Sequence, residues 1–498
     1  MNLLYYFTTV GEMFLDPILL LPMLLATFLG IVVGMLPGLT ATMGVALLTG
    51  LTFGFPTSTA IAMLICVYIG AIYGGSRTAI LLNIPGTPAN AATTLDGFPL
   101  ARSGQAAEAL TVATVMSGIG SIIGAICIVT LAPLLGQMAL EFGSWEFSWL
   151  AIFGVTICGT LTAPKDPLKG WIAGFLGLLI SQVGLDAIMA FPRYTFGNVE
   201  LYGGIALLPV LVGVYGVPEI LTSLQRTEAP QVILEYGKKT ISYIATIGKN
   251  LVNIIRSGLV SVLVGVIPGV GEDVAAWISY DLARRGSKEP EKFGQGSLEG
   301  LTAAECGNNA CVGGAIIPVL TLAVPGSAPA AVLLAALWLH GVRPGPLLPI
   351  ENPTFIYEVA AMFTVGTVLM VVLGLLITRP LLKILLIPTP ILMPIVFSLC
   401  VVGTYAISGR LFDVWVMFLF GVVGYFLRLG EFPAAPFVLG FILGPMADAN
   451  IRRSLILTDG SIGPFFTRPI SLVLFLATVL VMASRYIKLP RGGKKHEQ

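Results

Sequence analysis

The chain has 498 residues, of which 56% are hydrophobic and only 11% charged. Soluble domains carry about 25% charged residues, so this balance cannot cover a water-soluble surface and marks an integral membrane protein. Net charge is +1, from 27 Lys and Arg against 26 Asp and Glu, which leaves no basic field to attract nucleic acid.

The N-terminal MNLLYYFTTVGEMFLDP has neither a basic n-region nor a small-residue cleavage site, so the first apolar run is expected to stay. A membrane-spanning helix needs about 20 apolar residues. Candidates in chain order are 15–36, 57–75, 108–134, 146–163, 168–184, 201–221, 251–267, 301–324, 355–378, 390–407, 411–428 and 468–487. This predicts about twelve spans. Between them, 40–55, 78–95, 271–283, 327–340 and 434–446 are apolar but too short or too broken to span. They suit re-entrant hairpins or half-helices, because non-helical backbone is tolerated at membrane depth only where protein or a wet cavity surrounds it. The 58 Gly and 33 Pro spread through the chain fit that reading, since both interrupt or closely pack helices. Cys66, Cys127, Cys158, Cys306, Cys311 and Cys400 lie in apolar stretches without a CxxC pair and read as small buried hydrophobes.

The longest internal polar stretch, 222–250, divides the chain almost in half, and the halves match. GMLPGL at 34–39 recurs as GVIPGV at 265–270, an offset of 231. Gly74, Gly75, Pro85, Gly86 and Thr87 recur as Gly313, Gly314, Pro325, Gly326 and Ser327, at offsets of 239 to 240. Gly159, Thr160, Trp171 and Gly177 meet Gly403, Thr404, Trp415 and Gly421, and VGVYGVP ending at Pro218 meets LGFILGP ending at Pro445. The expected organisation is a first membrane repeat at 1–221, a linker at 222–250, a second repeat at 251–467, and a C-terminal helix and basic tail at 468–498. Basic residues in short loops favour the cytoplasm. Arg284, Arg285, Lys288 and Lys292 follow the second PGV segment, whereas the equivalent FGFPTST loop has no cation. The linker and tail are also basic, so the halves are expected to be inverted, with Arg452 and Arg453 at odds with the scheme. The fold class is an all-α polytopic membrane protein with broken helices in two inverted repeats. Duplicated halves with matched Gly/Pro interruptions point to a secondary transporter whose site lies near the membrane midplane.

Four Pro-Gly breaks, at Pro37-Gly38, Pro85-Gly86, Pro268-Gly269 and Pro325-Gly326, would each end a half-helix and free backbone N–H groups for an anion. Arg77 is the main cation expected at membrane depth. Small polar side chains cluster at the breaks: Thr40, Thr42, Ser76, Thr78, Asn83, Thr87, Asn90, Thr93, Thr94, Asn308, Asn309 and Ser327. Each alone reads first as a backbone-bonded packing residue, and it is their clustering at the breaks that favours a site. Substrate-binding candidates are Pro37, Gly38, Thr40, Ser76, Asn83, Pro85, Gly86, Thr87, Asn90, Pro268, Gly269, Pro325, Gly326 and Ser327. Asn308, Asn309, Glu305 and Asp273 are candidates for cation coupling. The acidic residues Asp96, Glu272, Asp273, Glu299 and Glu305 sit near apolar sequence, where a carboxylate must be paired or wet. Glu272 and Asp273 also read as dipole partners in the first turn of a half-helix. His340 is expected to mark a helix end. No GxxxxGK[ST] loop is present for ATP hydrolysis, and no GxSxG with a histidine partner for a hydrolase, so neither catalysis nor a cofactor is expected.

The runs GMLPGLTATMGVALL and YIGAIYGGSRTAILLNIPGTPANAATTLDGFPL, followed by GVIPGVGEDVAAWISYDLARRG and LEGLTAAECGNNACVGGAIIPVLTLAVPGSAPAAVLLAALWLHGVRPGP, resemble the large membrane subunit of the tripartite tricarboxylate transporters over residues 15–460. The resemblance implies a bacterial inner-membrane secondary transporter. It would import citrate-like di- or tricarboxylates on a Na+ or H+ gradient, with a periplasmic solute-binding protein and a small four-helix membrane subunit as partners. The resemblance falls on Pro37, Gly38, Tyr73, Gly74, Gly75, Ser76, Asn83, Pro85, Gly86, Thr94, Asp96, Gly97, Pro268, Gly269, Glu299, Glu305, Asn308, Asn309, Pro325, Gly326 and His340. Glu272-Asp273 departs from it, where a small or neutral residue is expected. By analogy with other carboxylate carriers, an elevator-like motion is expected. An anion channel or a non-transporting membrane scaffold is the alternative reading.

Overall fold

A computed structural model describes residues 3–36, 38–225, 243–377 and 389–483. Pro37, residues 226–242 of the linker and the basic tail from 484 lie outside the described residues. In chain order the principal helices are α1 (Leu3–Leu15), α2 (Pro17–Met35), α3 (Ala41–Thr52), α4 (Thr57–Leu82), α5 (Ala91–Leu100) and α6 (Ala106–Ala139). There follow α7 (Ser144–Thr162), α8 (Pro167–Ile180) and α9 (Leu207–Gln225), the last carrying a π-helical turn at Val212–Gly216. The second half contributes α10 (Tyr243–Val266), α11 (Gly271–Gly286), α12 (Leu298–Leu322), α13 (Ala328–Leu339), α14 (Phe355–Leu376), α15 (Thr389–Ser408), α16 (Leu411–Leu429), α17 (Ala434–Leu457) and α18 (Pro469–Ala483).

Among the described residues, nine helices are long and apolar enough to cross a membrane, and five apolar helices are shorter. The protein is a multi-pass membrane protein. The segment 434–446, expected as a fragment, lies inside the 24-residue α17. Its polar second half, with Asp448, Arg452 and Arg453, had masked the helix in the sequence. The amphipathic α1 was likewise unexpected. It is tied to α14 through Tyr6 Oη to Thr364 Oγ1 at 2.7 Å and Tyr5 Oη to Glu358 Oε1 at 2.9 Å.

The chain forms two compact units, residues 1–141 with 205–430, and residues 142–204 with 431–498. In the first unit, α4 and α12 are buried along nearly their whole length. Lipid tails are as apolar as leucine, so burial in a bilayer is driven by close packing of small residues rather than by escape from water. On α4, a Cβ at Gly70 would lie 2.6 Å from the Thr27 carbonyl oxygen of α2. On α10, a Cβ at Gly265 would lie 2.6 Å from the Cys311 carbonyl oxygen of α12. All six cysteines are buried in these apolar surroundings. Large exposed side chains such as Leu419, Val422 and Phe426 of α16 face outward, as a lipid-contacting surface requires.

The second unit joins α7, α8, α17 and α18 with a two-stranded ribbon, Gly184–Leu185 against Pro192–Arg193. Glu146 at the start of α7 caps its own helix through the Gly143 N–H at 2.8 Å and accepts from Arg468 Nε at 2.7 Å. Beside the ribbon, Asp186 accepts from Arg193, from Arg452, and from the N–H groups of Ile188 and Met189, both at 2.7 Å. Arg452 is therefore an internally paired charge, which accounts for a cation where the loop-charge scheme did not expect one. The Arg452 guanidinium, helped by the Met189 N–H, holds the Asp186 carboxyl well below the usual carboxylate range.

Two outcomes are expected. Gly70→Val forces a branched side chain against backbone that cannot yield, at a cost of about 3 kcal/mol. It should lower the thermal midpoint of the purified protein sharply, whereas Gly11→Ala, with nothing within 4 Å of the new Cβ, should not; equal midpoints would refute the packing account. Because the folded-state pKa of Asp186 is depressed, its contribution is complete above about pH 4 and disappears only as pH falls further. Hydrogen exchange of the 184–193 ribbon should thus stay slow from neutral pH to about pH 4, and Arg452→Gln should move its acid opening upward; an unchanged profile would reject the assignment.

Candidate functional site

The breaks have matching backbone geometry in the two halves. After α4, Asn83 takes the left-handed conformation at φ 56°, ψ 26°, and after α12, Ala323 does so at φ 55°, ψ 33°. The Ile84 N–H reaches the Thr78 carbonyl at 3.4 Å, and the Val324 N–H reaches that of Pro318 at 3.2 Å. The Gly86 N–H bonds the Gly75 carbonyl at 3.3 Å, and the Gly326 N–H that of Ala315 at 3.4 Å. Any Cβ at Gly86 would collide with the Gly34 carbonyl, and any Cβ at Gly326 with the Gly265 carbonyl. The packing thus sets Gly75 opposite Ala315 at the same offset of 240 as the prolines, one residue from the alignment read off the glycine pairs.

The sequence reading expected these breaks to free N–H groups for an anion. Instead the amides at Ile84, Gly86, Val324 and Gly326 are engaged, because a bare N–H at membrane depth is costly. In the second half the two breaks also bond each other, Gly269 N–H to Pro325 O at 3.1 Å and Gly271 N–H to Gly326 O at 3.0 Å. Pro268 is buried in this contact.

In the first half a cavity of about 290 Å³ opens between the breaks. Gly38, Leu39 and Thr40 line one side, and Asn83, Ile84, Pro85, Gly86, Thr87 and Pro88 the other. Glu219 of α9 and Arg428 of α16 complete the wall and pair with each other, Nη1 to Oε2 at 2.6 Å. The volume suits a small metabolite. Six of the predicted binding residues meet here: Gly38, Thr40, Asn83, Pro85, Gly86 and Thr87. Ser76 does not line the cavity; it is buried in α4, its hydroxyl bonded to the Tyr73 carbonyl at 2.7 Å. Arg77 is also buried, its guanidinium bonded to the Gly374 carbonyl at 2.7 Å and stacked over Tyr73, so the cavity's cation is Arg428 instead. Sequence reasoning missed Arg428 because it scanned the breaks, whereas Arg428 stands in the last turn of a distant helix.

Behind the cavity wall lies a buried polar cluster. Thr87 Oγ1 donates to Asn90 Oδ1 at 2.6 Å, and the Asn90 Nδ2 has no hydrogen-bond partner. Glu305 of α12 accepts from Thr93 and from Ser117 at 2.8 Å. Asn309 donates to Asn308 Oδ1 at 2.7 Å, leaving its own Oδ1 unpartnered, and Asn308 donates to the Ala89 carbonyl at 3.2 Å. Glu305, Asn308, Asn309 and Asn90 are all fully buried. The cluster thus presents a carboxylate and an unengaged carbonyl oxygen in low dielectric, the donor types that a proton or a small monovalent cation requires.

Of the acidic pair at the second break, Asp273 is exposed and Glu272 is buried, accepting from Tyr68, whose hydroxyl also meets Ser327 Oγ at 2.6 Å. Asp96 is buried as a clamp. Its Oδ1 accepts N–H groups from Gly294, Gly296 and Ser297 at 2.8 to 3.0 Å, and its Oδ2 accepts the Tyr280 hydroxyl at 2.9 Å. His340 caps the end of α13, as the sequence indicated, with Nε2 3.2 Å from Thr52 Oγ1.

Residues 20–439 match the family model described as the tripartite tricarboxylate transporter TctA family. The chain belongs to that family. A protein of Agrobacterium vitis described as an uncharacterized 52.8 kDa protein in the TAR-I ttuC' 3' region is 35% identical over 478 residues, covering 94% of both chains. A second from the same organism, an uncharacterized protein in the TAR-II ttuC' 3' region, is 36% identical over 210 residues, 42% of this chain and 86% of its own. No solved structure matches. Within this TctA-family chain, Asp96→Ala would strand three loop amides and a tyrosine hydroxyl, costing about 3 kcal/mol; a thermal midpoint within a degree of the parent would refute the clamp.

Proposed function

We propose that this TctA-family protein is the permease subunit that imports di- and tricarboxylates across the bacterial inner membrane, driven by a Na+ or H+ gradient. Its substrate would be delivered by a periplasmic binding protein, and a small four-helix membrane subunit would complete the complex. The observation that carries this reading is the cavity between the first-half breaks. It combines a small-metabolite volume, hydroxyl and amide side chains from Thr40, Asn83 and Thr87, and a cation in its wall. Since the Ile84 and Gly86 amides are engaged, the side chains of Thr40, Asn83 and Thr87 would share the work of holding the substrate with the backbone that remains. Glu305 would carry a coupling proton, or Asn308 and Asn309 with nearby carbonyls a sodium ion, one side chain behind the substrate cavity.

The matched geometry at Asn83 and Ala323 supports reading the halves as repeats, and the loop charges support inverting one against the other. All four breaks belong to the first compact unit, which supports an elevator-like motion of a transport part. An anion channel is the competing reading.

In proteoliposomes holding the permease and its small subunit, with the binding protein outside, a citrate, tricarballylate and succinate panel should show uptake above equilibrium on an imposed gradient. Equilibration without accumulation would identify a channel. Asn83→Gly keeps the left-handed backbone while removing the amide, and should cut uptake about tenfold at unchanged expression; full uptake would remove Asn83 from the site. Asn309→Ala should abolish sodium dependence if sodium couples, and Glu305→Gln pH dependence if protons do. Retention of both dependences in both variants would reject this cluster as the coupling site.

A further inference from the structure

Glu219 and Arg428 face one another at the cavity wall, 209 residues apart in sequence, with side-chain exposures of 20% and 42%. A pair this exposed contributes little to folding. Arg428 stands in the last turn of α16, whose carbonyl end stabilises a cation without Glu219. The contact is single-pronged, one guanidinium nitrogen to one carboxylate oxygen, although the arginine fork suits a bidentate carboxylate. One helical turn beyond Glu219, Ser223 is 3% exposed and its hydroxyl has no hydrogen-bond partner. That hydroxyl stands so close to Gly38 that a Cβ there would collide with it. One helix therefore brings both a carboxylate and an unengaged hydroxyl to the first break.

We propose that Glu219 is a resident counter-ion for Arg428, and that an incoming substrate carboxylate displaces it and takes both prongs of the guanidinium. The inference rests on the carboxylate reading above. The pair is neutral as a unit, so Glu219 keeps the guanidinium aimed into the cavity at little cost to release. On loading, one substrate carboxylate replaces Glu219, and the remaining polar groups of the substrate fall to Thr40, Asn83 and Thr87. The displaced Glu219, already part-exposed, returns to water. No covalent bond changes, and the exchange selects organic anions with at least one carboxylate.

The test is citrate, tricarballylate and succinate counterflow in proteoliposomes holding the full permease and its small subunit, with the binding protein outside. E219Q removes the competitor and should lower KM for the transported acid about tenfold, while E219D, which keeps the charge, stays within about threefold of the parent. R428Q should raise KM at least tenfold, with R428K intermediate, and E219Q added to R428Q should not restore the gain. A purely structural tie predicts that E219Q and R428Q lower the thermal midpoint alike and that E219Q leaves KM unchanged or raised; that result overturns the proposal. If E219Q does not fold, E219A must show the same lowered KM, and its failure to do so also overturns it. Transport by the parent without a gain in E219Q sinks this inference alone, whereas no transport of any panel acid by the parent sinks the carboxylate reading and this inference together.

Discussion

The constraint on which the structure depends is that backbone polar groups at membrane depth have no water to turn to. A Pro-Gly break removes one N–H outright and takes others out of helical register, so the chain must find each a partner nearby. It does so in the same way twice. A left-handed residue, Asn83 or Ala323, folds the chain back so that the next amide reaches a carbonyl in the last turns of the preceding helix. The glycine two residues further on is then pressed so tightly against neighbouring backbone that no side chain fits. The corners after α4 and α12 thus hold their first amides within the protein, and they bring side chains and shape to whatever lies beside them.

That arrangement needs two helices that can be buried on every side. α4 and α12 serve because glycine and alanine let neighbouring backbones approach them closely, and because several of their polar groups meet partners from the opposite half. Tyr68 of α4 reaches Ser327 at the second-half break, and Asn308 of α12 reaches the Ala89 carbonyl beyond the first-half break. These two residues lie 240 positions apart, the spacing of the breaks themselves. Their chemistry differs, and so do the regions they touch. At the second half the breaks bond each other beside the buried Glu272, and at the first half the breaks line a cavity backed by the Glu305 and asparagine cluster. The two break pairs share a backbone geometry and differ in the side chains around them.

Much of this plan was legible in the sequence. The Pro-Gly dipeptides located the corners, hydropathy located most long helices, and the asparagines and Glu305 were identifiable as polar residues in apolar company. Failures had physical causes. Helix α17 was cut short because Asp448, Arg452 and Arg453 look unfit for an apolar helix until Asp186 and Arg193 are seen to pair with this segment. Arg77 looked like the anion's partner because it was the one cation in the motif, yet a carbonyl and a tyrosine ring hold it away from the cavity. Which way Glu272 and Asp273 each point from the first turn of α11 was likewise beyond the sequence: Glu272 turns inward to Tyr68.

The sequence by itself determined that this is a polytopic membrane protein with four Pro-Gly interruptions in two matched pairs, and its motifs carried the family, because composition, period and motif are local properties. Only the tertiary structure decided which side chains line the cavity at the first break pair, which amides are engaged, and which cation stands in the wall. Those outcomes depend on residues hundreds of positions apart, such as Glu219 with Arg428, being brought within hydrogen-bond distance by helix packing. No pattern along the chain encodes that distance.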